Sequence, residues 1–164
     1  MRYWIRQDTM AYELSDDDMS RFGYIEVTER PSTYSDMWTW SFESWSWVVN
    51  KESAKKVISQ KCFDLETSGV VYEEHTFGTD DRNKILLTMM ALQATRDNTK
   101  VFSCKTADGE FVDISATDIQ LLVDGISDYT QACLLREKDL LVQLSGDDFS
   151  VEAMDEGWPS NIIA

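Results

Sequence analysis

The chain has 164 residues, with 15 Lys and Arg against 30 Asp and Glu, so its formal net charge is −15 with the single histidine neutral. A charge of that sign repels a phosphate backbone, which needs clustered cations to displace its counterions, so nucleic acid is not an expected partner. Hydrophobic residues at 43%, with six Trp, six Tyr and seven Phe, describe a chain able to fill a core rather than a disordered one.

No apolar run approaches the roughly 18 residues of a membrane span, and the start turns polar at Arg2 and Arg6, so neither membrane insertion nor a signal peptide is expected. Cys62, Cys104 and Cys133 are odd in number and too widely spaced for a CxxC motif, which makes them buried free thiols. Residues 3–6 and 23–29 read as short strands, the second rich in β-branched and aromatic side chains between Gly23 and Pro31. Asp16, Asp17 and Asp18 between them lack the alternation, glycine and distal glutamate of a calcium loop and read as a solvated loop.

Four tryptophans then fall within ten residues. Trp38, Trp40 and Phe42 hold one period-2 phase and Trp45, Trp47 and Val49 the other, so a hairpin turn is expected at Glu43 and Ser44. Core packing, a protein interface and a carbohydrate-stacking platform all suit such rings. A sheet of this size cannot bury all four, so Trp38, Trp40, Trp45 and Trp47 are the candidate partner-binding set.

From Asn50, a capping residue, the period changes to three and four through Ala54, Val57, Ile58, Cys62 and Leu65, ending at Gly69. The lysines of this helix, Lys51, Lys55, Lys56 and Lys61, read as its wet face. Residues 70–77 read as one strand closed by Gly78. A second helix follows, capped by Thr79 to Asp81, with Ile85, Met89 and Leu92 as its core stripe. His75 is the only histidine, and no nucleophile or second element of a catalytic set stands with it, so no enzyme, cofactor or metal site is expected.

Two β-rich runs flank Asp108-Gly109, a strong hairpin signal taken here as a two-residue type I′ turn. Ser115 with Asp118 resembles a capping box for a long helix running to about Gly146. Its stripe of Ile119, Leu122, Val123, Ile126, Tyr129, Cys133, Leu140 and Leu144 is interrupted by Arg136 and is expected to pack on the Ile85 to Leu92 stripe. Trp158, held between Gly157 and Pro159, should fold back on the helices as a latch beside Phe149 and Met154. The fold class is α+β, with a small Trp-rich antiparallel β part over 1–49, a connecting helix and strand over 50–78, and a helical domain with a hairpin and a long capped helix over 79–164.

The order Thr106-Ala107-Asp108-Gly109, strand, capped helix with Tyr129, Ala132-Cys133 and Arg136, then Gly157-Trp158-Pro159, resembles a domain of unknown function found in bacteriophage tail proteins. Tyr72, Phe77, Thr79-Asp80 and Arg82 resemble its beginning, and Arg30-Pro31 with Trp38, Trp40 and Trp45 is similar to the leader of tail-fibre-associated and tail-fibre assembly proteins. The pattern departs in the acidic, lysine-clustered middle and at Asp147-Asp148. The resemblance implies a non-catalytic tail protein, assembled in the host cytoplasm and resident in the virion, that binds a tail fibre or another tail or baseplate subunit, with self-association left open. A fibre-assembly chaperone absent from the virion and an acidic inhibitor of a host protein are the alternatives.

Overall fold

A computed structural model describes residues 1–146 and 148–163 and shows, among them, three α-helices and ten short strands in small sheets, an α+β fold. Asp147 of the acidic pair lies outside the described residues. The chain divides into two compact units, Met1–Val57 and Ile58–Ala164, where the sequence placed breaks at 49 and 78.

In the first unit, β1 (Arg2–Arg6) is the central strand between β2 (Tyr12–Ser15) and β3 (Tyr24–Val27), antiparallel to both. Trp4 and Ile5 are consecutive and therefore point to opposite faces, yet both are buried, so β1 is covered on both sides. The indole of Trp4 donates to the Ser15 carbonyl at 3.3 Å, tying the sheet to the acidic loop. That loop is exposed, with Asp18 accepting from the Ser20 amide and Asp16 pairing with the N-terminal ammonium. A second sheet is the hairpin of β4 (Trp38–Ser41) and β5 (Ser46–Val49), with Trp40 opposite Trp47.

Helix α1 (Lys51–Thr67) begins where Asn50 accepts the Ser53 amide at 3.0 Å, and it stops at Gly69, whose φ of +99° a side chain would resist. Residues 70–77 are not one strand. They form β6 (Val70–Tyr72) and β7 (His75–Phe77), paired antiparallel through a turn at Glu73 and Glu74, with Glu73 at φ +54°. The polar Glu73-Glu74 pair marks this turn, but runs of three residues on either side are too short to show a change of phase.

Helix α2 (Asp81–Ala94) has Asp80 as its cap, accepting the Asn83 amide, while the buried Thr79 hydroxyl instead accepts the Gly69 amide at 3.0 Å. The core face of α2 is the opposite of the expected one. Leu87 and Ala94 are buried, whereas Ile85, Met89 and Leu92 are 60%, 55% and 56% exposed. Residues 85–92 are apolar nearly all the way round the helix, so periodicity could not choose the phase.

Strands β8 (Val101–Lys105) and β9 (Phe111–Ser115) form the expected hairpin, but its turn is longer. The Thr106 amide donates to Glu110, the Gly109 amide donates to Thr106, and only Gly109 has positive φ, at +95°. This is a three-residue loop with a bulge rather than a type I′ turn. Helix α3 (Ala116–Ser145) is capped by the Ser115 hydroxyl, which accepts the Asp118 amide at 3.2 Å and donates to the Asp118 carboxylate at 2.6 Å. All eight positions of its expected stripe are buried or half-buried. Each fully buried Leu or Ile there contributes roughly 1.5–3 kcal/mol.

The segment after α3 is held by side chains rather than by regular structure. Arg136, the break in the stripe, donates to the carbonyls of Ala153 and Glu156 at 2.7 and 3.0 Å. Trp158 packs on the core and donates to the Met154 carbonyl at 2.8 Å, above a fully buried Met154, with Pro159 half-buried beside it. Strand β10 (Ile162–Ile163) then pairs parallel with β6 at the edge of the order β10-β6-β7, a strand too short for any sequence pattern to announce.

Candidate interaction surface

The four hairpin tryptophans divide by position on the strands. Trp40 is buried, and Trp47 meets it edge-to-face at 5.4 Å while donating its indole N–H to the Thr28 carbonyl at 3.0 Å. Trp47 also meets Tyr12 edge-on at 5.6 Å, and the Arg30 guanidinium lies over the Tyr12 ring, 5.1 Å from its centroid. Trp38 is half-buried and donates to the Thr33 carbonyl at 3.0 Å. These three rings are tied into the unit by their own contacts.

Trp45 differs. It belongs to the turn and not to β5, with φ at +50°, and it is 61% exposed. The turn imposes this left-handed backbone on Trp45 as others do on Tyr34 and Glu73, and it points the ring away from the strand pair. Its neighbour Phe42 meets it at 6.3 Å with the rings 83° apart. Two rings at right angles offer an edge and a cleft rather than the flat platform on which a sugar stacks.

In the second unit the exposed apolar face of α2, Ile85, Met89 and Leu92, is joined by Leu86. Three of these recur at spacings of four and three and so lie along one side of the helix. The His75 ring sits edge-on to Phe77 at 6.5 Å, and Glu73 lies in the turn that precedes β7. The thiols are all buried. Burial, with Glu66 and Glu137 nearby, pushes Cys62 up to about 12, and burial raises Cys104 and Cys133 as well. Thiols held protonated in this way are poor nucleophiles at neutral pH. The remaining sequence candidates, Asp108, Gly109, Ser115, Trp158 and Pro159, all take the structural places described above.

Architecturally, then, this is a small α+β protein with a Trp hairpin in one unit and a long capped helix organising the other. Residues 49–156 match the family described as Domain of unknown function (DUF4376), and the chain belongs to that family. No curated protein and no solved structure matches it. No helix among the described residues is long and apolar enough to cross a membrane.

Proposed function

We propose that the protein is a non-catalytic component of a bacteriophage tail, an adaptor that docks on a tail fibre or a neighbouring tail subunit. The observation that carries the docking role is the outward stripe of Ile85, Met89 and Leu92 on α2. Apolar side chains aligned on one helix face, rather than scattered singly, are characteristic of surfaces that meet another protein. Trp45 with Phe42 adds an aromatic anchor of the sort that dominates interface energetics. Placement in a tail rests on the resemblance carried by residues 70–164, and it makes the virion the site of action and the host cytoplasm the site of assembly.

Mass spectrometry of purified particles from a phage encoding this chain tests the proposal. The chain should be present with the tail proteins and should cross-link to one of them, and Trp45→Ser or Met89→Asp should remove it from particles without unfolding it. A chain absent from particles but needed for fibres to form would make it an assembly chaperone. Tails that assemble and infect normally without it would overturn both readings.

A further inference from the structure

Two of the segments that carry the tail-protein resemblance in the second unit, Phe77 to Arg82 and Thr106 to Gly109, meet in space. The Ala107 amide donates to the Thr76 carbonyl at 2.8 Å and pins the β8–β9 loop to the end of β7. Between this loop and the start of α2 lies a cleft of about 590 Å³, with Asp80, Arg82 and Asn83 on the helix side and Lys105, Asp108 and Gly109 on the hairpin side. It continues, through the shared Gly78, Asn83, Leu86 and Lys105, into an apolar recess of about 190 Å³. Buried Phe77, Leu87 and Cys104 with half-buried Met90 line that recess, and Leu86 and Phe111 stand at its rim, Phe111 71% exposed.

The charges of the cleft are unequally committed. Both oxygens of Asp80 are occupied by Asn83, its backbone amide at 3.1 Å and its side-chain amide at 2.6 Å, and Asp80 also faces the positive end of the α2 dipole. The Asp108 carboxylate takes the Thr106 hydroxyl. These hydrogen bonds hold both carboxyls below the usual range. Arg82 and Lys105 are exposed, and among the described residues neither is in an ion pair. In a unit with eight basic residues against 20 acidic ones, a cleft whose lining charges cancel is a local exception, and Arg82 and Lys105 are its charged groups with donors still free. A guanidinium and an ammonium with free donors are suited to a carboxylate. The adjoining recess is suited to one large apolar side chain.

We propose that this cleft binds an extended peptide in which a large apolar residue neighbours an Asp or Glu, the apolar side chain seated on Phe77, Leu87 and Met90 and the carboxylate held by Arg82 and Lys105. The site uses neither Trp45 nor Ile85, Met89 and Leu92, although it shares Leu86 with the exposed face of α2, and it requires no assignment to a tail.

The test is an amide-resolved NMR titration of the full chain with N-acetyl-Leu-Glu-Leu-amide, against N-acetyl-Leu-Gln-Leu-amide and N-acetyl-Ala-Glu-Ala-amide. The first peptide should shift the amides of Gly78, Leu86, Lys105 and Gly109 in a saturable way, with each control at least about tenfold weaker, the scale of one charge-assisted contact or one seated side chain. Arg82→Ala and Lys105→Ala, both at exposed positions, should each weaken binding about tenfold and leave the rest of the spectrum in place. Equal binding of the glutamine peptide, or shifts confined to residues outside the cleft, would overturn the proposal. A failed titration leaves the docking role of Trp45 and α2 standing, because no tail protein enters this experiment.

Discussion

The two units solve the same problem of burial with different materials. The first, of 57 residues, has seven Lys and Arg against ten Asp and Glu, a net of 7 − 10 = −3, and the second has 8 − 20 = −12. Among the described residues the first buries only Trp4, Ile5, Met37, Trp40 and Ala54 of its hydrophobic side chains, whereas the second buries a continuous core in which the rings of Tyr72, Phe77, Phe102 and Tyr129 are embedded among aliphatic side chains and thiols from α1, α2, α3 and their strands. A small unit has little interior, so it fills that interior with a few large rings. In such a unit each ring carries a larger share of the stability, and the indole N–H of buried Trp40, which finds no acceptor among the described residues, shows that size was favoured over polar satisfaction. The second unit spreads the same task over many side chains and can carry its charge on the outside.

The contrast breaks most severely at the far end of the second unit. Deleting residues 149–164 removes fully buried Met154, the Trp158 latch and strand β10, and it strips Arg136 of both carbonyl partners. Loss of one buried Met costs about 2–5 kcal/mol, so the combined loss should reach the whole stability of a domain. The truncated chain should lose the cooperative melting of this unit and become poorly soluble, and a soluble truncation with an unchanged melting curve would show the segment to be a free tail. In the first unit, Trp40→Ala should cost about 3–5 kcal/mol and unfold it, whereas Trp45→Ser, at a ring already exposed, should change stability by less than about 0.5 kcal/mol. Tryptophan fluorescence in a urea titration separates the two, and equal midpoints would return Trp45 to the core.

Smaller effects sharpen the account of the hairpin and the helix it feeds. Gly109→Val places a β-branched side chain at φ +95° and should cost about 1–3 kcal/mol, while Ser115→Ala should cost about 1 kcal/mol by removing the α3 cap. Wild-type melting in both variants would contradict the turn and the cap together. The last effect is one of pH. Cys62 titrates at about 12 in the folded protein against 9.0 for the free side chain, so above pH 9 the unfolded chain releases a proton that the folded one keeps. Its contribution is complete below pH 9 and is lost as pH rises towards 12, with Cys104 and Cys133 acting in the same direction. The urea midpoint should therefore fall between pH 8.5 and pH 10.5, and it should fall less in Cys62→Ala.

What could be read from residues alone followed the strength of the local signal. The α3 stripe and its Ser115 cap, the Asn50 cap and the two hairpins at Glu43 and Asp108 were legible because capping oxygens, glycine and periodicity agreed there. The phase of α2 was not, since apolar residues surround it and only the tertiary core selects Leu87 and Ala94. Strand β2 escaped although Tyr12 and Leu14 alternate with Glu13 and Ser15, because four residues are too few to establish a period. The cleft at Arg82 and Lys105 was invisible for a different reason. Its walls are 23 residues apart in sequence, and the hydrogen bond from Ala107 to Thr76 that brings them together is made by backbone atoms, which no side-chain pattern encodes.

Strand β10 gives the second unit an order of events during synthesis. Its partner β6 is made about 90 residues earlier, and Ile163 lies so close over Gly125 of α3 that a β-carbon there would sit 2.5 Å from it. Until Ile163 docks, the outer edge of β6 stays unpaired and the groove over Gly125 stays empty, although α1, α2 and α3 all precede β10 in the chain. With β10 undocked, β6 is a strand with one open edge, the form most exposed to pairing with the wrong chain.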